Sequence, residues 1–217
     1  VAACRSAGVQ RLVHISALGA DADAPSEYQR SKAAGEAAIR STGADLAWTI
    51  LRPSVVFGRG DHFLNLFAGL ARRFPVLPLA GAKTRFQPVY VEDVAEVVVR
   101  ALAARDAAGQ IFEVAGPAVY TLRELVEYVS ALVGCPRPII PLPEALAMLQ
   151  ARLMELAPQP LMSRDNVRSL RVDNVARGRP LPFGLSPTAL EAVAPSWLGE
   201  GGSRARYYPF RRQARRG

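Results

Sequence analysis

Two short apolar runs with an alanine-rich helical stretch between them constrain this chain most. Arg11-Leu-Val-His-Ile-Ser16 has the near-continuous apolar character of a buried parallel strand, and Leu46-Ala-Trp-Thr-Ile-Leu-Arg-Pro53 reads as a second strand. Between them Ser26 supplies a helix N-cap, Ala33, Ala34, Ala37, Ala38 and Ile39 allow close packing on a sheet, and Gly43 ends the helix. Gly35 lowers helix propensity but lets a neighbour approach. Strand, helix, strand in this order predicts an α/β fold.

That helix carries Tyr28 and Lys32, one turn apart on one face. A neighbouring ammonium favours the phenolate, so the spacing predicts a Tyr28 pKa below its ordinary value of about 10. Such a phenol can exchange a proton with a substrate hydroxyl or carbonyl near neutral pH. The same Lys32 can reach the ribose of a dinucleotide. Alone, Tyr-x-x-x-Lys arises often by chance and reads as a solvated helix start. Glu36, one turn further on, is expected to form a surface pair with Lys32 worth well under about 1 kcal/mol.

In sequence, a strand ending at Ser16, a Tyr28-x-x-x-Lys32 helix and a strand running through Arg52-Pro53 to Ser54-Val-Val-Phe-Gly58 resemble the second half of a short-chain dehydrogenase/reductase domain, in its extended or atypical branches. Four stretches narrow the likeness: residues 26–36, Phe57-Gly-Arg-Gly-Asp-His-Phe-Leu-Asn-Leu-Phe67, Gln87-Pro-Val-Tyr-Val-Glu-Asp-Val94 and Ser163-Arg-Asp-Asn-Val167. In this order they resemble the short-chain-dehydrogenase-like accessory subunits of respiratory complex I and their bacterial relatives, from about residue 1 to about residue 198. The resemblance implies a bound nucleotide, NADP(H) or NAD(H), held mainly as a structural ligand with little or no turnover. It implies that Tyr28 and Lys32 hold the nicotinamide end, with backbone groups of Pro53, Ser54, Val55 and Val56 on the carboxamide. The alternative is an active NAD(P)-dependent reductase or epimerase of quinone or isoprenoid metabolism. There Tyr28 is the acid/base, Lys32 its pKa tuner and ribose ligand, and Ser16 the group that polarises the substrate oxygen. In the extended branch that hydroxyl usually falls one residue later, where this chain has Ala17, and the departure counts against turnover. The plainest reading is a remnant that binds nothing.

A dinucleotide-binding half also needs a first strand, a glycine-rich turn and a helix whose N-terminus faces the pyrophosphate. Residues 1–7 read instead as the last turns of a helix, with Gly8 as its C-cap, and Gly199-Glu-Gly-Gly is a late polar turn. The expectation is therefore the C-terminal half of a Rossmann-type domain without its glycine-rich βαβ part, plus a small, mostly helical lobe; a divergent full-length protein is the alternative. The expected division is a partial NAD(P)-binding domain over 1–135 with interleaved lobe segments, a helical substrate or interaction lobe over 136–199, and a basic, disordered tail over 200–217.

Further elements follow from caps and periodicity. Asp61 is expected to cap a helix burying Phe63, Leu64, Phe67, Leu70 and Ala71. Residues 86–91 read as one strand, with Glu92 or Asp93 capping the helix that follows, and residues 110–114 as another strand. Thr121-Leu-Arg-Glu124 is a capping box, and Gly134 a C-cap. Residues 136–143 are proline-rich and extended. Residues 144–157 form a helix with Leu146, Leu149, Leu153 and Leu156 in one stripe, widened by Met148 and Met154. That stripe is core by default, or a face for lipid or a partner subunit. Ser163 caps a short helix, and Ser186-Pro187 opens one through about Val193.

Composition excludes several classes. The chain has 217 residues, half of them hydrophobic, enough for one core and a small appendage. No apolar run reaches the length of about 18 residues that a membrane span needs, and no signal segment is expected at Val1. Cys4 and Cys135 lack metal-ligand spacing and point to a reducing compartment; His14 and His62 stand alone, so no metal is expected. The net charge of +8 is concentrated in Arg204, Arg206, Arg211, Arg212, Arg215 and Arg216. A near-neutral body argues against nucleic-acid binding. The expected partners are complex I subunits and an anionic membrane surface, met through residues 144–157 and the arginine-rich tail. The expected location is cytoplasmic, peripheral at the inner face of an energy-transducing membrane.

Overall fold

The computed structural model describes residues 1–43, 46–158 and 160–199; the arginine-rich tail lies outside the described residues. Helix α1 (Ala2–Ser6) leads through Gly8 into β1 (Arg11–Ile15). Helix α2 (Glu27–Arg40) begins where Ser26 Oγ accepts the Gln29 N–H, as its sequence predicts. Strand β2 (Ala47–Pro53) runs parallel to β1, with Arg11 opposite Ala47 and Ile15 opposite Leu51. After β3 (Val56–Phe57), helix α3 (Leu64–Arg73) starts where Asp61 Oδ1 accepts the N–H groups of Phe63 at 2.8 Å and Leu64 at 2.5 Å.

Strand β4 (Leu77–Ala80) precedes β5 (Arg85–Phe86) and β6 (Val89–Tyr90). The single strand expected over residues 86–91 is thus two. Pro88 has no N–H for a ladder, and Gln87 turns its own N–H to the Asn174 carbonyl, 3.0 Å away. Helix α4 (Val91–Ala103) has no side-chain cap. Asp93, an expected cap, instead accepts the N–H and hydroxyl of Thr188 at 2.7 and 2.8 Å. Strand β7 (Gln110–Val114) follows, then β8 (Tyr120–Thr121) and α5 (Leu122–Leu132), which opens on the predicted Thr121–Glu124 capping box. The proline-rich run contributes β9 (Ile139–Leu142), ahead of α6 (Glu144–Met154) and α7 (Arg164–Ser169), the latter capped by Ser163. Helices α8 (Leu190–Val193) and α9 (Pro195–Leu198) close the described part. Ser186-Pro187 does not open α8: Ala189 holds the cap position, while the Asp93 bonds pin Thr188 outside the helix.

The central sheet is parallel, in the order β1-β2-β7, and continues the α/β reading. Two-stranded pairs surround it: β3 with β6 and β4 with β9, both parallel, and β5 with β8, antiparallel. The sheet and β6 pack on α4 through Leu51, Val89, Val97 and Val114, all fully buried. A larger core joins α3, α5 and the two last helices around Phe57, Leu64, Leu125, Val126 and Leu190. Gly116 is a steric requirement here: a Cβ would lie 1.8 Å from the Pro88 carbonyl oxygen.

A third, smaller cluster seats α6 and α7 on β4 through Ala80, Ala147, Ala151 and Val167. Alanines, and not the leucine stripe, make this contact. Leu146, Leu149 and Leu153 are 53, 55 and 61% exposed, and Leu156 is 84% exposed. The default expectation of a core stripe therefore gives way to an outward one: α6 turns Ala147 and Ala151 inward, with Met148 packed beside them, and leaves the leucines outside. Among the described residues no helix is long and apolar enough to cross a membrane.

Candidate functional site

The carboxyl ends of β1 and β2 meet the first turns of α2, and the sequence-predicted residues gather around that junction. Tyr28 and Lys32 share the outer face of α2, with the Tyr28 side of that face half exposed. Lys32 Nζ sits over the Tyr28 ring, 5.8 Å from its centroid, and donates to the Ile15 carbonyl at 3.3 Å. No hydrogen bond joins the ammonium to the phenol. The expected lowering of the phenol pKa is therefore corrected: partial burial pushes Tyr28 up from its ordinary value.

Ser16 follows β1 and is buried, as is Ala17. Its hydroxyl donates to Glu36 Oε1 at 2.5 Å, so it points under α2 and not outward beside Tyr28. Glu36 is the largest departure from expectation. It is fully buried, and it does not pair with Lys32 at the surface. Arg52 grips it with two parallel bonds, Nε to Oε1 at 2.7 Å and an Nη to Oε2 at 2.6 Å. Burial alone raises the Glu36 pKa; the bonds from Arg52 and Ser16, with the Arg52 and Arg40 charges, outweigh it and hold the carboxyl below its ordinary value. Arg52 is pushed up, chiefly by its bonds to Glu36. A signal for this pair existed: Arg52 lies inside an apolar strand and needs a counter-charge, and Glu36 lies two helical turns from Gln29 on the inward face.

The loop after β2 spends its polar groups within the chain. The Pro53 carbonyl accepts the Leu18 N–H at 2.9 Å, and the Ser54 N–H donates to the Val114 carbonyl at 2.8 Å. The Ser54 hydroxyl and the Val55 N–H both donate to Asn174 Oδ1, at 2.6 and 2.7 Å. The Val55 carbonyl accepts the Val89 N–H at 3.0 Å, and Val56 pairs with Val89 between β3 and β6. Asn174 was not a sequence candidate. Nor was Asp165, whose two carboxylate oxygens accept the Glu27 N–H at 2.7 Å and the Tyr28 N–H at 3.0 Å. Both lie far along the chain from their partners, beyond the reach of any local pattern.

Residues 1–115 match the family described as NAD dependent epimerase/dehydratase. Over 198 residues the chain is 39% identical to the mouse (Mus musculus) mitochondrial NADH dehydrogenase [ubiquinone] 1 alpha subcomplex subunit 9, covering 87% of this chain and 51% of that protein. The Arabidopsis thaliana subunit of the same name is 35% identical, over 81% of this chain and 46% of its own length. The chain thus spans about half the length of these curated relatives. Among solved structures, the Escherichia coli NADPH-dependent quinone oxidoreductase QOR2, complexed with NADPH, shares the fold at a TM-score of 0.68 and 20% identity, over 89% of this chain and 68% of that one.

Proposed function

Because the chain belongs to the NAD dependent epimerase/dehydratase family, we propose that it holds a nicotinamide dinucleotide, NADP(H) before NAD(H), as a structural ligand in a protein of respiratory complex I. The junction of β1, β2 and α2 holds the nicotinamide end. Lys32 has donors to offer a ribose hydroxyl, Tyr28 lays its half-exposed phenol along the ring, and the Pro53–Val56 backbone borders the carboxamide. The bound nucleotide would supply a hydride if the site turned over; the chain's own residues are arranged to bind rather than to react.

Three observations together carry the non-turnover half of this reading. The Ser16 hydroxyl is buried and given to Glu36, position 17 is alanine, and the Tyr28 phenol is pushed up and not down. The hydroxyl expected to polarise a substrate oxygen beside Tyr28 is thus committed elsewhere, and the phenol beside it is not activated. Association with complex I rests on the identity to the subunits named NADH dehydrogenase [ubiquinone] 1 alpha subcomplex subunit 9. The outward leucine stripe of α6 offers a surface for a neighbouring subunit or the membrane face beside it.

Titration calorimetry of the full chain with NADPH and with NADH tests the nucleotide, and a spectrophotometric assay tests turnover. The expected result is binding without oxidation of the dinucleotide when quinones or ketones are added. NADPH oxidation that disappears in Tyr28→Phe overturns the structural-ligand reading. Absence of binding by either dinucleotide, both in this chain and in a longer chain that carries a glycine-rich βαβ part, overturns the nucleotide assignment.

A further inference from the structure

Helix N-termini leave their first amides without intrahelical partners. In α2 the local cap, Ser26, reaches the Gln29 N–H only. The Glu27 and Tyr28 amides are taken by Asp165, which belongs to α7. A little further on, Asn174 takes the Ser54 hydroxyl and the Val55 N–H. One segment, residues 163–174, therefore holds both sides of the candidate nucleotide site through two polar side chains.

This segment is itself firmly seated. Its Val167 is buried against Ala147 and Ala151 of α6. The Arg164 N–H and guanidinium bond Glu155 at 2.8 Å each. Asp173 accepts the Arg85 N–H at 2.9 Å and pairs with its guanidinium. The Asn174 backbone bridges β5, accepting from Gln87 at 3.0 Å and donating to Arg85 at 2.7 Å. A bond network of this kind fixes position more than it adds stability, because charged and amide acceptors set direction as well as distance.

We infer that Asp165 and Asn174 are positioning residues for the nucleotide site: residues 163–174 form a strap that sets the spacing between Tyr28 and the Val55 amide. The inference rests on the nucleotide reading above, but its mechanical part does not. It also gives the lobe a role in binding without any lobe side chain touching the nucleotide. Through Val167 the strap packs on the inward face of α6, opposite the exposed leucines.

The test uses the full chain with Asp165→Ala, Asp165→Asn and Asn174→Ala. Hydrogen exchange without ligand reads the mechanical part. The Glu27 and Tyr28 amides should exchange about tenfold faster in Asp165→Ala, less so in Asp165→Asn, which keeps one acceptor oxygen, while the Ser26-held Gln29 amide stays within the wild-type range. Asn174→Ala keeps the strap's backbone bonds and should release only the Val55 amide. NADPH affinity should fall about fivefold in each alanine variant, and the fluorescence of bound dihydronicotinamide should shift toward that of free NADPH, which a general loss of stability does not produce. Unchanged exchange at Glu27, Tyr28 and Val55 overturns the strap. Changed exchange with unchanged NADPH affinity and fluorescence overturns its positioning role, as does tighter binding in Asn174→Ala, which would make Asn174 a competitor of the carboxamide. If neither this chain nor a longer one with a glycine-rich βαβ part binds a dinucleotide, the functional reading alone is overturned, because the exchange results stand without it.

Discussion

At the scale of single residues, Glu36 governs the site from below. Its carboxylate is fully buried and receives bonds from Arg52 and Ser16. Removing one partner of such a pair leaves a charge with no counterpart. Glu36→Gln should lower unfolding free energy by about 3 kcal/mol, measured by urea denaturation. The pH dependence has a definite sign. The unfolded chain protonates Glu36 at its ordinary value of 4.5, while the folded chain keeps it ionised to lower pH. Between those two values the unfolded state holds more protons, so the contribution is complete above 4.5 and is lost as pH falls through the lowered folded value. A urea series from pH 7 to pH 3 should show this acid limb in the wild type and its loss in Glu36→Gln. Tyr28 and Lys32 stood out only through the two strands that flank their helix, whereas the cap at Ser26 was legible from its own local pattern. Glu36 was misread because an i, i+4 lysine–glutamate pair looks the same whether the glutamate faces water or the sheet.

At the scale of elements, what sequence revealed was whatever is settled within a few residues. Ser26, Thr121 and Ser163 cap as their local patterns predict, and Asp61 takes the first amides of α3 from two residues outside its cap position. Elements settled by distant partners were misjudged: β9 was legible only as an extended run until β4 paired with it, and Asp93 left its expected cap for Thr188. The leucine stripe of α6 obeys helical periodicity without saying which side faces inward; Ala147 and Ala151 decide that by their size. Helix α2 offers a simple gain. A Cβ at Gly35 would lie 3.5 Å from His14 Nε2, ordinary contact, and the position is helical. Gly35→Ala should stabilise the fold by about 0.5–1 kcal/mol, seen as a melting temperature raised by about 1–4 °C.

At the scale of the whole molecule, the leucine face is a surface that folding leaves unused. Leu149→Glu and Leu153→Glu should change stability by no more than about 0.5 kcal/mol, because both side chains already face outward. The same changes should weaken association with isolated complex I or with anionic vesicles, measured by co-sedimentation; equal retention of the wild type and both variants would assign the face no docking role. The pairing of β4 with β9 has a different consequence, in the time order of synthesis. Among the described residues β9 is the strand partner of β4, and it lies well beyond it in the chain. At about 5–20 residues per second, the ribosome leaves the backbone edge of Leu77–Ala80 open for several seconds before Ile139 emerges. An open edge flanked by apolar residues is a template for wrong pairing. The nascent chain thus passes through a stage at which chaperone capture and aggregation compete, and a stop codon just before Ile139 would make that stage permanent.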